Sequence, residues 1–214
     1  MKRQGTSIRI ANDVLNADRY EELQIAAGNS TSKESNTLLT YEYFTNRFST
    51  IDDISRDDLL YAIHVAYSWM PTTLKLLNIS EIGQLDHLIP HITSLRKIRT
   101  FDHLLSQEKN ASSHLLAISQ TINNSIVGTS KVLHFFSPLS IPIIDSRVIL
   151  AWNRFFSDHP SLQLVGCKPT VPVTKYIGYW KTLLYWKQQI GLDSIRELES
   201  AFFVLGGVQK EDVG

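Results

Sequence analysis

This chain has little of several things that would assign a protein quickly. It has a single cysteine, Cys167, in 214 residues, so no internal disulfide can form and the fold must rest on a packed core. No apolar run approaches the roughly 18 residues that a bilayer span requires. The start, Met1-Lys2-Arg3-Gln4-Gly5-Thr6, has no hydrophobic stretch behind it and so predicts no signal peptide. These absences point to the cytoplasm and away from a membrane. Formal net charge is zero, which argues against strong attraction of nucleic acid to the whole surface. The histidines and the one cysteine lack metal-ligand spacing, and neither a glycine-rich phosphate loop nor a Gly-x-Ser-x-Gly elbow occurs. Metal hydrolase, nucleotide-binding enzyme and serine hydrolase therefore lose support, and neither cofactor nor metal is expected.

Alternating strand pattern is also nearly absent, and what replaces it is helical spacing. Apolar content of 43% suits a buried core. Helices are expected over 12–23 and 38–48, and from a capping box at Ser55-Arg56-Asp57-Asp58 up to Met70-Pro71. Shorter ones are expected over 72–77 and 82–89, with Pro90 as a breaker. Ser112 or Ser113 should cap a helix ending at Asn123-Asn124. Later helices are expected over 148–156 and 174–190, the second stopped by Gly191, and after Asp193 or Ser194. Residues 26–36 and 158–173 read as loops. The expected fold class is all-α.

One stretch combines stiff local structure with chemistry. Asn124-Ser125-Ile126-Val127-Gly128-Thr129-Ser130-Lys131 leads into apolar Val132, Leu133, Phe135 and Phe136 around His134. Pro138 stops that helix, Pro142 holds the next segment extended, and Asp145 stands where helical pattern resumes. An ammonium and a carboxylate are thus fixed 145 − 131 = 14 residues apart. Charge is uneven as well. Residues 131–187 carry seven Lys+Arg against two Asp+Glu, a balance of +5, whereas 1–130 balance at 12 − 14 = −2 and 188–214 at 2 − 5 = −3.

Two helices joined by Asn-Ser-Ile-Val-Gly-Thr, then a proline-bounded run to an aspartate, resemble the helix-hairpin-helix/Gly-Pro-Asp superfamily of DNA glycosylases. The archaeal-type 8-oxoguanine glycosylase branch is the most similar: Ile126-Val127, Lys131 and Ile141-Pro142-Ile143-Ile144-Asp145-Ser146-Arg147-Val148 stand at its motif places. The resemblance covers about 25 residues and implies a two-lobed helical fold, one lobe from 37–148 and the other from 1–36 plus 149–214. It implies base excision from DNA, most simply double-stranded, by a monomer. Asp145 would be the catalytic carboxylate and Lys131 its partner. Val127, Gly128, Thr129, Ser130 and Arg147 would contact DNA, with a Gly128 turn as phosphate clamp. An aromatic base pocket is expected, with Asn124, His134, Trp69, Tyr176, Trp180 and Trp186 as candidate walls. The lyase lysine of the family falls at Asn124 in one register and at Ser130 in the other, so the implied activity is monofunctional.

Plain structural readings of the same residues stand beside these. Asp145 suits a helix N-cap with no chemistry, Lys131–Asp145 suits a structural ion pair, and a lone His134 suits a hydrogen-bonded core residue. Arg147 suits a helix-end contact, and the Tyr/Trp stripe of 176–186 suits core packing. A hairpin protein that binds DNA without excision and a helical interaction protein are the alternatives to an enzyme.

Overall fold

The computed structural model describes residues 13–28, 35–167 and 170–207. Among them stand ten α-helices: α1 Ala17–Gly28, α2 Ser35–Ser49, α3 Arg56–Ser68, α4 Ile89–Arg96, α5 Phe101–Ser106, α6 Glu108–Thr121, α7 Ile126–Phe136, α8 Ser146–Phe155, α9 Val173–Ile190 and α10 Arg196–Gly207. No strand occurs among the described residues, only an isolated bridge between Leu76 and Ile122. No described helix is long and apolar enough to cross a membrane. The chain is all-α.

Local chemistry explains several helix ends. Ser55 and Asp58 cap α3 reciprocally, as their spacing predicts. Asp145 caps α8, and Gly191 ends α9 with φ 72°, a left-handed residue that glycine accepts without strain. Other expectations fail for identifiable reasons. Pro90 starts α4 instead of breaking it, because a proline in the first turn gives up no helical hydrogen bond. Ser112 and Ser113 lie inside α6, their hydroxyls turned back onto the Glu108 and Lys109 carbonyls. Near the start, α1 runs on to Gly28, past the helix end expected at Leu23, with Asn16 accepting the Arg19 amide at 2.9 Å. Asn12 lies outside the described residues.

The segment 72–77 is no helix. The Lys75 amide bonds to the Asn123 side chain, the Lys75 carbonyl accepts the Asn123 amide at 3.0 Å, and the Leu77 amide donates to the Thr121 carbonyl at 2.8 Å. Its polar backbone is committed to the hairpin that joins α6 to α7, and a committed amide cannot also close a helical turn.

That hairpin turns on two asparagines. Asn123 and Asn124 have φ 55° and 49°, a region that asparagine tolerates better than most residues. Ser125 then caps α7 by accepting the Gly128 amide at 3.2 Å. The expected turn at Gly128 is thus moved back to Asn123–Asn124, and Gly128 lies within α7. It is glycine for another reason: a Cβ there would overlap the Tyr67 hydroxyl and lie 2.9 Å from its Cζ. α3 packs on α7, and Tyr67 lies against Gly128 in that contact.

In packing, α10 lies on α8 and α1, while α2, α3, α4 and α6 surround α7. α9 touches both groups: it packs on α5 and α6, and its Tyr179 and Trp186 join Trp152, Phe156 and Phe202 in an aromatic cluster. The buried apolar residues form one continuous core. The lobe boundary expected at residue 148 falls in the first turn of α8.

Gly128→Ala should lower stability by about 1–3 kcal/mol through overpacking, despite the preference of about 1 kcal/mol for alanine in helices. Tyr67→Phe alone should be neutral or slightly stabilising, because the buried Tyr67 hydroxyl has no partner, and it should reduce the cost of Gly128→Ala. Urea midpoints of the two single variants and the double variant measure this. A Gly128→Ala protein as stable as wild type would refute it.

Candidate functional site

The segment from Ser137 to Asp145 leaves α7 and re-enters helix at α8. It begins with a turn in which the Ser140 and Ile141 amides donate to the Ser137 carbonyl at 3.2 and 3.0 Å. Beyond the turn the chain is extended and buried, its polar backbone must find partners, and side chains from three helices supply them. The Ser140 carbonyl accepts the Trp180 indole N–H at 2.5 Å, and the Pro142 carbonyl accepts the Tyr176 hydroxyl at 2.8 Å. The Ile143 carbonyl accepts the Tyr179 hydroxyl at 3.3 Å. The Ile143 amide donates to Glu199 Oε2 at 3.3 Å, and the Ile144 amide donates to Ser130 Oγ at 3.2 Å. The Ile141 carbonyl lies 2.6 Å from His134 Nδ1. Pro142 has no amide to satisfy, which suits it to a buried strut.

At the end of this strut Asp145 Oδ1 accepts the amides of Arg147 and Val148 at 3.0 and 3.1 Å. Its other oxygen, Oδ2, faces Lys131 Nζ at 3.7 Å. The two side chains are 13% and 15% exposed, so the pair is screened by protein yet reachable from solvent. The structure therefore brings together the two residues that the sequence singled out for catalysis, with one carboxylate oxygen fixed by the helix and the other left to the ammonium.

His134 lies behind this pair, fully buried on α7. The Ile141 carbonyl can only accept, so Nδ1 carries the proton and donates to it. Nε2 is then the acceptor for the Tyr41 hydroxyl at 2.5 Å. Burial, with the Arg196 guanidinium nearby, lowers the His134 pKa from its usual 6.5 to about 3. The ring is neutral, so its 3.6 Å separation from Glu199 Oε2 is no ion pair. Glu199 pairs instead with Arg196 at 2.7 Å, and the Arg196 guanidinium also covers the Tyr41 ring at 4.0 Å. Burial pushes the Glu199 carboxyl up, against the pull of Arg196 and the Ile143 amide.

The other candidates are distributed differently. Thr129 and Ser130 are fully buried, and Gly128 faces Tyr67, so none of the three presents a side chain to a ligand. At the start of α7 the hairpin offers the Ile126 and Val127 amides, beside half-buried Val127 and exposed Asn124. Arg147 lies over the Phe203 ring at 5.0 Å. Tyr176 and Trp180 are fully buried and hold the strut. Trp186 is core and donates to the Asn16 carbonyl, and Trp69 packs on Phe135 and Tyr41. A cavity of about 550 Å³ does open beside the hairpin, lined by Tyr67, Met70, Leu116, Asn124, Val127 and Val173 among others. Of the six residues expected to wall a base pocket, only Asn124 lines it. Among the described residues no group of three or more His, Cys, Asp and Glu side chains could hold a metal.

Sequence reading missed Glu199, Arg196 and Tyr41. A signal existed for the first. Glu199, Phe202 and Gly206 share one face of α10, in line with Ile195 just before it, and an acid on an otherwise apolar face requires a buried partner. The chain matches no family model, no curated protein and no solved structure.

Two predictions follow from this geometry. Because His134 is neutral when folded and its pKa is lowered, the unfolded chain binds the extra proton first as pH falls. Stability from this residue is complete above about pH 6.5 and declines toward pH 3. Between pH 7.5 and 4.5 that loss should reach about 2–3 kcal/mol. His134→Gln, which keeps one donor and one acceptor, should be less stable at pH 7.5 but show a flatter pH dependence in denaturant titrations; equal slopes would refute the assignment. For the cap, Asp145→Ala should cost about 1 kcal/mol and Asp145→Asn much less, as read by thermal melts. Equal losses would show that the cap is not what Asp145 contributes to stability.

Proposed function

We propose that this chain is a monofunctional DNA N-glycosylase of the helix-hairpin-helix type, acting on a modified base in duplex DNA. The observation that carries the reading is the placement of Asp145 at the N-terminus of α8, with Lys131 of the hairpin's second helix 3.7 Å from its free oxygen. The hairpin amides of Ile126 and Val127 are suited to a backbone phosphate. Residues 131–187 carry a +5 balance in sequence, of which Lys181 is paired with Glu108 at 2.9 Å, and the remaining excess of cations favours a polyanion.

In this mechanism the bond between C1′ of the deoxyribose and the base nitrogen breaks, and the base leaves with the electron pair. Asp145 Oδ2 stabilises the positive charge that develops on the sugar. A water then attacks C1′ and passes its proton to the carboxylate; the departed base takes up a proton at its freed nitrogen and the carboxylate returns its own to solvent, leaving a free base and an abasic sugar. Lys131 holds Oδ2 in place or meets a flanking phosphate. Hydrolysis by water suits the two places where the family's lyase lysine would fall, occupied here by exposed Asn124 and buried Ser130. Those same residues favour a second reading, a hairpin protein that binds DNA and no longer excises.

Single-turnover cleavage of labelled duplexes carrying oxidised, deaminated, alkylated or hypermodified bases, each with and without alkali, separates these readings. The proposal expects strand breaks that require alkali, reduced about 100-fold or more by Asp145→Asn with DNA affinity retained. Breaks without alkali would point to an amine nucleophile, with Lys131→Met as the variant to abolish them. Salt-dependent binding with no product on any duplex would select the second reading. Absence of both would leave a structural Lys131–Asp145 pair.

A further inference from the structure

We infer that Glu199 of α10 is a positioning residue for Asp145, acting through the Ile143 amide. The inference rests on the glycosylase reading for its consequence but on packing for its basis.

Two contacts on one face of α10 bracket Asp145. On its N-terminal side, Glu199 Oε2 accepts the Ile143 amide, two residues before the aspartate. On its C-terminal side, the Arg147 backbone carbonyl, two residues after it, lies so close over Gly206 that a Cβ there would clash with it. Glu199 and Gly206 are seven residues, or two helical turns, apart and so lie on the same face. Asp145 is thereby fixed between two points of one rigid helix.

The Glu199 contact is also the costlier one to keep. The side chain is 1% exposed, and a buried carboxylate is tolerated only when it is paired and hydrogen-bonded. Arg196 provides the charge from one turn earlier at 2.7 Å, and its guanidinium lies on Tyr41. Tyr41 in turn donates to His134, which donates to the Ile141 carbonyl. The pair is thus tied into the strut at Ile141 and Ile143. A hydrophobic residue at 199 would fill the space equally well but would leave the Ile143 amide without an acceptor, free to draw the strut toward another partner. Catalysis by a fixed carboxylate is sensitive to such a shift, since a misplacement of about 1 Å can cost about 100-fold in rate.

The test compares two double variants of equal charge and similar volume, Arg196→Met with Glu199→Gln and Arg196→Met with Glu199→Leu. Methionine still covers Tyr41, and only glutamine keeps an acceptor for Ile143. Both are checked for folding by circular dichroism, then assayed on the duplex that wild type cleaves best, alongside DNA affinity and the 13C shift of the Asp145 carboxyl. The expected result is a rate near wild type for the glutamine protein and a loss of about 100-fold for the leucine protein, with affinities within about threefold of each other and the Asp145 resonance displaced only in the latter. Equal rates in the two proteins, whether both high or both low, would overturn the inference. If wild type cleaves nothing, the glycosylase reading is what fails. The resonance then decides the positioning role alone: displaced only with leucine, it stands; the same in both proteins, it falls.

Discussion

A buried extended segment has to hydrogen-bond its backbone to something other than water, and this requirement organises the structure from the Ser140 carbonyl to Asp145, past the turn that Ser137 closes. Among the described residues no neighbouring strand is present to meet it. Side chains do so instead: Ser130 and His134 from α7, Tyr176, Tyr179 and Trp180 from α9, and Glu199 from α10. Each unpaired backbone group in such a setting would cost about 1–3 kcal/mol. The six partners are therefore mutually dependent, and three helices far apart in sequence are held to one strut. The packing of α9 against both groups of helices follows from the same need, since its tyrosines and tryptophan must reach residues 140–143.

The same network separates the polar groups by role. Ser130 and the two tyrosines bond to the backbone, His134 divides its two nitrogens between the Ile141 carbonyl and the Tyr41 hydroxyl, and all four are closed to solvent. Lys131 and Asp145 stand at the end of the strut, where the carboxylate divides its two oxygens between the α8 amides and the ammonium. Rigidity behind and partial access in front is what a catalytic carboxylate requires. It is equally what an ion pair at a helix start would display, and chemistry on DNA distinguishes the two.

Several residues that suggest ligands by type turn out to be framework by position. Tyr176 and Trp180 have the aromatic faces of a base pocket, yet their polar atoms are used internally and both rings are covered. An opening lies instead beside the hairpin, where Asn123 and Asn124 turn the chain and α7 begins. Its walls are uncharged, with apolar side chains interleaved with hydroxyl and amide groups.

Sequence alone determined the features that depend on neighbours within a few residues. The all-α class, the capping box at Ser55, the stop at Gly191, Asp145 as an N-cap and the spacing that lets Lys131 meet it all follow from local periodicity, caps and proline geometry. Pro90 and the Ser112/Ser113 cap were misplaced locally; the other readings failed where a distant partner outweighs local preference. Segment 72–77 gives its amides to the hairpin, and Gly128 serves a helix contact with Tyr67 instead of a turn. Glu199 lies 199 − 145 = 54 residues beyond the aspartate it brackets. Tertiary structure decided which polar groups are buried and what they bond to. That choice is set by which helices pack together, and no window of a few residues contains it.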